Sequence, residues 1–118
     1  MSIRKRADRA YSAHLQGTLD LMILRMLQFG AQHGQGIARA IQNESAHVFI
    51  VDHGSLYPAL QRLEDRGFIQ AEWGTSETNR KARFYSLTPK GRKELTREKR
   101  EWRRIASAIM RMLGPETS

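Results

Sequence analysis

The chain has 118 residues, the usual size of one domain, and its 40% hydrophobic and 27% charged content suits a globular protein with a buried core rather than a disordered segment. Twenty Lys and Arg against 12 Asp and Glu leave a net charge of +8, a balance that suits a polyanion, nucleic acid ahead of an anionic membrane surface. There are no cysteines, which excludes disulfides, thiolate nucleophiles and Cys-ligated zinc, and no apolar run approaches the ~20 residues of a membrane span.

The N-terminal stretch "MSIRKRADRAYSAHLQG" is basic and lacks the apolar core of a signal peptide. A cytoplasmic location is therefore expected. Ile3, Ala7, Ala10 and Tyr11 fall at helical spacing, so residues 3–13 are predicted as a short helix or ordered arm whose "RKRADR" can meet phosphates. In "TLDLMILRMLQFG", Leu19, Met22, Ile23, Met26 and Leu27 make one apolar stripe. Thr18 or Gly17 is the expected cap and Gly30 the expected stop. "GQGIARAIQNES" reads as a shorter helix with Ile37, Ala38 and Ile41 inward.

"GSLYPALQRLEDRGFI" reads as a third helix, with Leu56, Leu60 and Leu63 on one face and Gly67 closing it. Pro58 inside this helix is the anomaly, because an interior proline removes a hydrogen bond and clashes with the preceding turn at a cost of ~3 kcal/mol. With Asp52 or Ser55 as N-cap, Pro58 is expected in or just after the first turn, where the amides lack partners anyway. "FIQAEW" (68–73) and "ARFYSLT" (82–88) are strand-like, and the eight polar or glycine residues "GTSETNRK" between them predict a hairpin with a long basic tip. The last element starts at Thr88 as N-cap with Pro89 in the first turn, runs about 25 residues or ~37 Å, and stops at Gly114–Pro115.

Three helices, a two-stranded wing and a long helix predict a mainly α fold with a small β-hairpin: a winged helix-turn-helix plus a long C-terminal dimerisation helix. The expected division is 1–14 as basic arm or helix, 15–88 as DNA-binding domain and 89–113 as dimerisation helix. In such a fold the third helix enters the major groove of duplex DNA. Its N-terminal end and outward face make Ser55, Tyr57, Pro58, Gln61 and Arg62 the candidate base readers. In the wing, Asn79, Arg80, Lys81 and Arg83 suit phosphate oxygens or the minor groove.

The motifs "GSLYPALQRLEDRGFI", "NRKARFYSLTPKGRKEL" and "LQGTLDLMILRML" with "HGQGIARAI" together resemble the PadR-type transcriptional regulators over about residues 15–113. Gln35 stands where an aromatic residue is common between the two glycines. The resemblance implies a dimeric winged-helix repressor, its dimer built by the C-terminal helix with help from the N-terminal ones.

The C-terminal helix itself carries a heptad seam: Leu95, Trp102 and Ile109 seven apart, with Glu98, Ile105 and Met112 three residues on. Leu95, Trp102, Ile105, Ile109 and Met112 are thus the candidate homodimer contacts, interrupted by Glu98. Trp102 is also the candidate effector residue, because a two-fold axis would bring two indole faces together to sandwich a flat aromatic molecule. His14, His33, His47 and His53 lack ligand spacing, so no metal or other cofactor is expected. "GAQHGQG" lacks the ending and the preceding strand of a nucleotide-binding loop, and no catalytic constellation can be read, so no enzyme is expected. The leading expectation is a dimeric, sequence-specific regulator, a repressor released by a small-molecule effector and bound to an inverted-repeat operator. The alternative is a non-specific architectural nucleic-acid-binding protein.

Overall fold

The structure is a computed structural model that describes residues 17–116; the expected N-terminal helix or arm lies outside them. Helix α1 is seen over residues 17–27, α2 over Gly34–Glu44, α3 over His53–Asp65 and α4 over Pro89–Leu113, with strands β1 at Gln32–His33, β2 at Ile69–Thr75 and β3 at Lys81–Leu87. Residues 17 and 18 are already helical, so neither Gly17 nor Thr18 is the cap. The α1 stripe is largely buried, with Leu19, Ile23, Leu24 and Leu27 in the core. The chain then turns through Gly30, whose φ of 137° is open to glycine and rarely to other residues.

The core is one cluster. Ile23 and Leu24 of α1 meet Ile37 and Ile41 of α2, Leu56, Leu60 and Leu63 of α3, Ile69 of β2, and Tyr85 and Leu87 of β3. These are the positions that 3.6-residue and two-residue periodicity select for burial. α3 closes as a Schellman turn: Phe68 N–H donates to the Leu63 carbonyl at 3.0 Å and Gly67 N–H to that of Glu64 at 2.9 Å, with Gly67 at φ 80°.

Three further sequence expectations change around the sheet and α3. The sheet has three strands in the order β1-β3-β2, because Gln32 and His33 pair with Tyr85 and Phe84 across from the predicted hairpin. The wing tip is shorter than the eight residues expected, since Gly74↔Ala82 and Thr75↔Lys81 continue the ladder and leave only residues 76–80 as loop. The position of Pro58 is also not one of the helix-start amides that lack a partner, although the cap of α3 is one of the two expected. The cap is Asp52, whose carboxylate accepts from Ser55 N–H at 2.8 Å, so α3 starts at His53 and Pro58 is its sixth residue. The Gly54 carbonyl therefore loses its intrahelical partner. Both Gly54 and Pro58 are exposed, so water can satisfy that carbonyl and the penalty is softened by solvation rather than by position.

α4 begins as the sequence indicates. Thr88 Oγ1 accepts from Gly91 N–H at 3.0 Å and donates to the Gly67 carbonyl at 2.6 Å, so one side chain caps α4 and ties it to the end of α3. Leu95, expected on an exposed seam, is 2% exposed and belongs to the domain's own core. The first two turns of α4 therefore pack on this domain, while Ile109, Met110, Met112 and Leu113 further along are exposed.

Candidate nucleic-acid interface

The exposed side of α3 and the wing enclose a cleft of about 550 Å³. From α3 come Tyr57 and Gln61; from the wing come Trp73, Arg80, Lys81 and Arg83; from the other wall come His33, Gln35 and Arg39. The wing tip is shaped by a tight turn in which Asn79 N–H donates to the Ser76 carbonyl at 2.9 Å and Ser76 N–H to that of Arg80 at 2.8 Å. Asn79 takes φ 61°, a left-handed conformation that asparagine tolerates better than most side chains. Arg80 and Lys81 follow it, exposed.

The candidate base readers divide by their surroundings. Ser55, Tyr57, Pro58 and Gln61 are exposed, and Gln61 Nε2 donates to Asp65 Oδ1 at 2.9 Å one turn on. Tyr57 lies across to α2, where a Cβ on Gly34 would stand only 2.9 Å from its hydroxyl, so the first glycine of "GQG" makes room for this ring. Arg62 is instead turned inward. Its Nη2 donates to Asp20 Oδ1 of α1 at 2.9 Å. Burial pushes the Asp20 carboxyl above its ordinary pKa, against the pull of Arg62. The geometry gives Arg62 a helix-tying role that the sequence reading did not foresee.

Arg83 is on strand β3 rather than at the tip, and its Nη2 bonds Glu64 Oε2 at 2.9 Å, fastening wing to α3. It also lies over the Tyr85 ring at 5.7 Å, and burial raises the Tyr85 pKa. Asn79 and Arg80 remain at the exposed tip, with Lys81 at the start of β3 beside them.

Sequence reasoning missed His33, Arg39, Trp73 and Glu77 in this cleft. Trp73 is 64% exposed, with Lys81 Nζ 5.2 Å from its ring centroid. Its alternation within "FIQAEW" could have flagged an outward aromatic. His33 and Arg39 meet the wing only through tertiary packing, which no local pattern announces. Four basic side chains and one acid, Glu77, line the cleft.

On the far side, Trp102 is half-buried beside a second groove of about 330 Å³, lined with Leu21, Met22, Met26, Ile41 and Phe49. Burial pushes Glu98, one turn earlier, above its ordinary pKa. Ile105 is half-buried, and Ile109 and Met112 are exposed. Among the described residues no group of three His, Asp or Glu side chains could hold a metal ion, and no helix is long and apolar enough to cross a membrane.

A helix-turn-helix followed by a basic wing, with an outward helix face beside it, defines a winged-helix transcription regulator. The profile of the Transcriptional regulator PadR-like family matches residues 23–97, and the chain belongs to that family. It is 33% identical over 87 residues to Transcriptional regulator Rv3488 of Mycobacterium tuberculosis, covering 74% of this chain and 80% of that one. A solved transcriptional regulator from Clostridium thermocellum superposes with a TM-score of 0.73 at 30% identity, over 83% of this chain and 92% of that one. Bacillus subtilis PadR, solved in complex with operator DNA, superposes with a TM-score of 0.60 at 30% identity, over 67% of this chain. This chain spans 44% of the length of that protein. The family consists of transcription regulators, not enzymes.

Proposed function

We propose that this protein is a homodimeric, sequence-specific DNA-binding repressor in the cytoplasm, released from an inverted-repeat operator by a small aromatic effector. The observation that carries the DNA-binding reading is the cleft geometry. Tyr57 and Gln61 of α3 share the cleft with Arg80 and Lys81 of the wing, so base-reading and phosphate-binding groups present together, while Ser55 and Pro58 are exposed on the same helix beside a separate groove against α1. That Bacillus subtilis PadR, to which this chain is similar, was solved in complex with operator DNA supports the DNA-binding reading.

The dimer reading rests on the far half of α4. Ile109 is 50% and Met112 86% exposed, an apolar end on a helix that otherwise carries charge, and such patches mark association surfaces. Trp102, Ile105, Ile109 and Met112 are its contacts, with Leu95 withdrawn into the core. A second copy laid along this helix would set two α3 helices in successive major grooves, ~34–36 Å apart. The division of labour in this reading is residues 15–88 for DNA and the later turns of 89–113 for pairing subunits, with 1–14 as a basic arm.

The effector reading rests on Trp102 beside its apolar groove. A ligand releases DNA only if it binds the incompetent arrangement of the two wings more tightly than the competent one. Titrating flat aromatic dyes while following tryptophan fluorescence and duplex release together tests this. Quenching and release are expected in the parent and both are lost in Trp102→Leu; quenching without release contradicts it.

Binding to duplexes of different sequence at one salt concentration separates a regulator from an architectural protein, which would show little difference between them.

A further inference from the structure

We infer that Arg39 and the Nε2–H of His33 form a binding site for one phosphodiester of the duplex, and that Glu77 of the wing occupies this site as an internal anion until DNA displaces it. The inference rests on the DNA-binding reading above and adds a site that reading does not contain.

His33 Nδ1 accepts from Gly36 N–H at 2.9 Å, which leaves the ring proton on Nε2. That Nε2 faces Glu77 Oε1 at 3.6 Å, and Arg39 Nη1 faces the same oxygen at 3.9 Å. Two donors from the β1–α2 wall thus converge on one anionic oxygen delivered by the wing. One donor, His33, is held more firmly than the acceptor, whereas Arg39, 63% exposed, is nearly as open as Glu77. The His33 side chain is 10% exposed, its backbone pairs with Phe84, and its ring lies 5.4 Å from the Phe84 ring. Glu77 is 69% exposed and projects from the five-residue loop 76–80. The acid can leave while the His33 half of the site stays and Arg39 follows the incoming anion.

Neither contact closes to hydrogen-bond distance, so the carboxylate neutralises the site without filling it. A phosphate group, larger and with more acceptor oxygens, fits the gap better. The adjacent start of α2 adds the positive end of a helix dipole. Glu77 is also the only acid among the described residues lining a cleft with four bases. A phosphate entering here must exchange with it, so part of the counterion release that drives association is lost to the internal pair.

The test uses the full chain and a labelled mixed-sequence duplex across a salt series. Glu77→Gln should tighten binding by about three- to tenfold and steepen the salt slope by up to ~0.9. Arg39→Gln should weaken binding more in the Glu77→Gln background than in the parent. Methylphosphonate substitution along the duplex should find one phosphate whose neutralisation removes the gain. Unchanged or weaker binding by Glu77→Gln overturns the assignment, as does a gain that ignores Arg39→Gln or attaches to no single phosphate. Failure of the parent to bind any duplex would overturn the DNA-binding reading as well; parent binding without the gain overturns only this site.

Discussion

Replacing Gly91 by alanine reverses the usual sign of a helical glycine substitution. In an exposed helix interior, Gly→Ala stabilises by ~1 kcal/mol. Gly91 is the third residue of α4, buried, and a Cβ there would lie 1.9 Å from the Phe68 carbonyl oxygen and 2.8 Å from its carbon. Both are backbone atoms, so no side chain can swing aside. To restore ordinary contact α4 must retreat by about 1.5 Å, a displacement a close-packed interior does not absorb. The struck carbonyl also accepts from Thr88 N–H at 3.1 Å, and a retreat breaks that bond, worth ~1 kcal/mol. Overpacking adds ~1–3 kcal/mol. Against the propensity gain, Gly91→Ala should be destabilised by ~1–3 kcal/mol, a fall of ~5–20 °C in melting temperature for a domain of this size. Circular dichroism melts at one fixed protein concentration measure it. An unchanged or raised melting temperature would refute the claim that α4 crosses the backbone at Phe68.

Gln61→Ala should change base preference if its amide reads a base edge, by ~1–3 kcal/mol at one position, whereas Arg80→Ala should weaken all sequences alike and flatten the salt slope by about one unit; competition binding over a panel of duplexes separates the two. Trp102→Lys with Ile109→Lys should yield monomer by sedimentation and sharply weaken operator binding, and a parent that is itself monomeric at micromolar concentration would show that the apolar end of α4 does not pair. The hydrogen bond from Arg97 holds the Glu94 carboxyl below its ordinary pKa, so its contribution to stability is present above the unfolded carboxylate pKa and lost as pH falls through the folded one. Glu94→Gln should therefore melt lower than the parent at neutral pH, with the difference disappearing in acid.

The elements that local chemistry specifies were legible before the structure. Thr88, Pro89 and Gly114 bracket α4 because capping and chain stopping are decided within a few residues. The leucines of α3 and isoleucines of α2 reach the core because a helix with one apolar stripe has one way to bury it. Choices between near-equivalent local options were not legible. Asp52 and Ser55 are both good caps, and the structure uses Asp52, which leaves Pro58 at the sixth helical position rather than the third. Strand β1 is two polar residues, made a strand by pairing with β3 rather than by propensity.

The same limit applies to the site. A heptad spacing of apolar residues fixes a stripe but not its partner, so Leu95 went to the core while Ile109 and Met112 stayed exposed. Arg62 and Arg83 looked like free cations until Asp20, 42 positions away, and Glu64, 19 away, closed on them. At the wing tip and on the outward face of α3 the marked residues Asn79, Arg80, Lys81, Tyr57 and Gln61 stay exposed, with Gln61 bonded only to Asp65 one turn on and Lys81 lying over Trp73.

The most direct test is selection of bound duplexes from a random library by the full chain, followed by sequencing of the enriched pool. A two-fold regulator predicts one inverted repeat, with half-sites one helical turn apart or a multiple of it, and binding to that repeat at least ~10³-fold tighter than to scrambled duplex at the same salt concentration. A pool with no enriched motif, held only by low salt, would contradict the account and leave a basic winged helix that binds DNA by its charge alone.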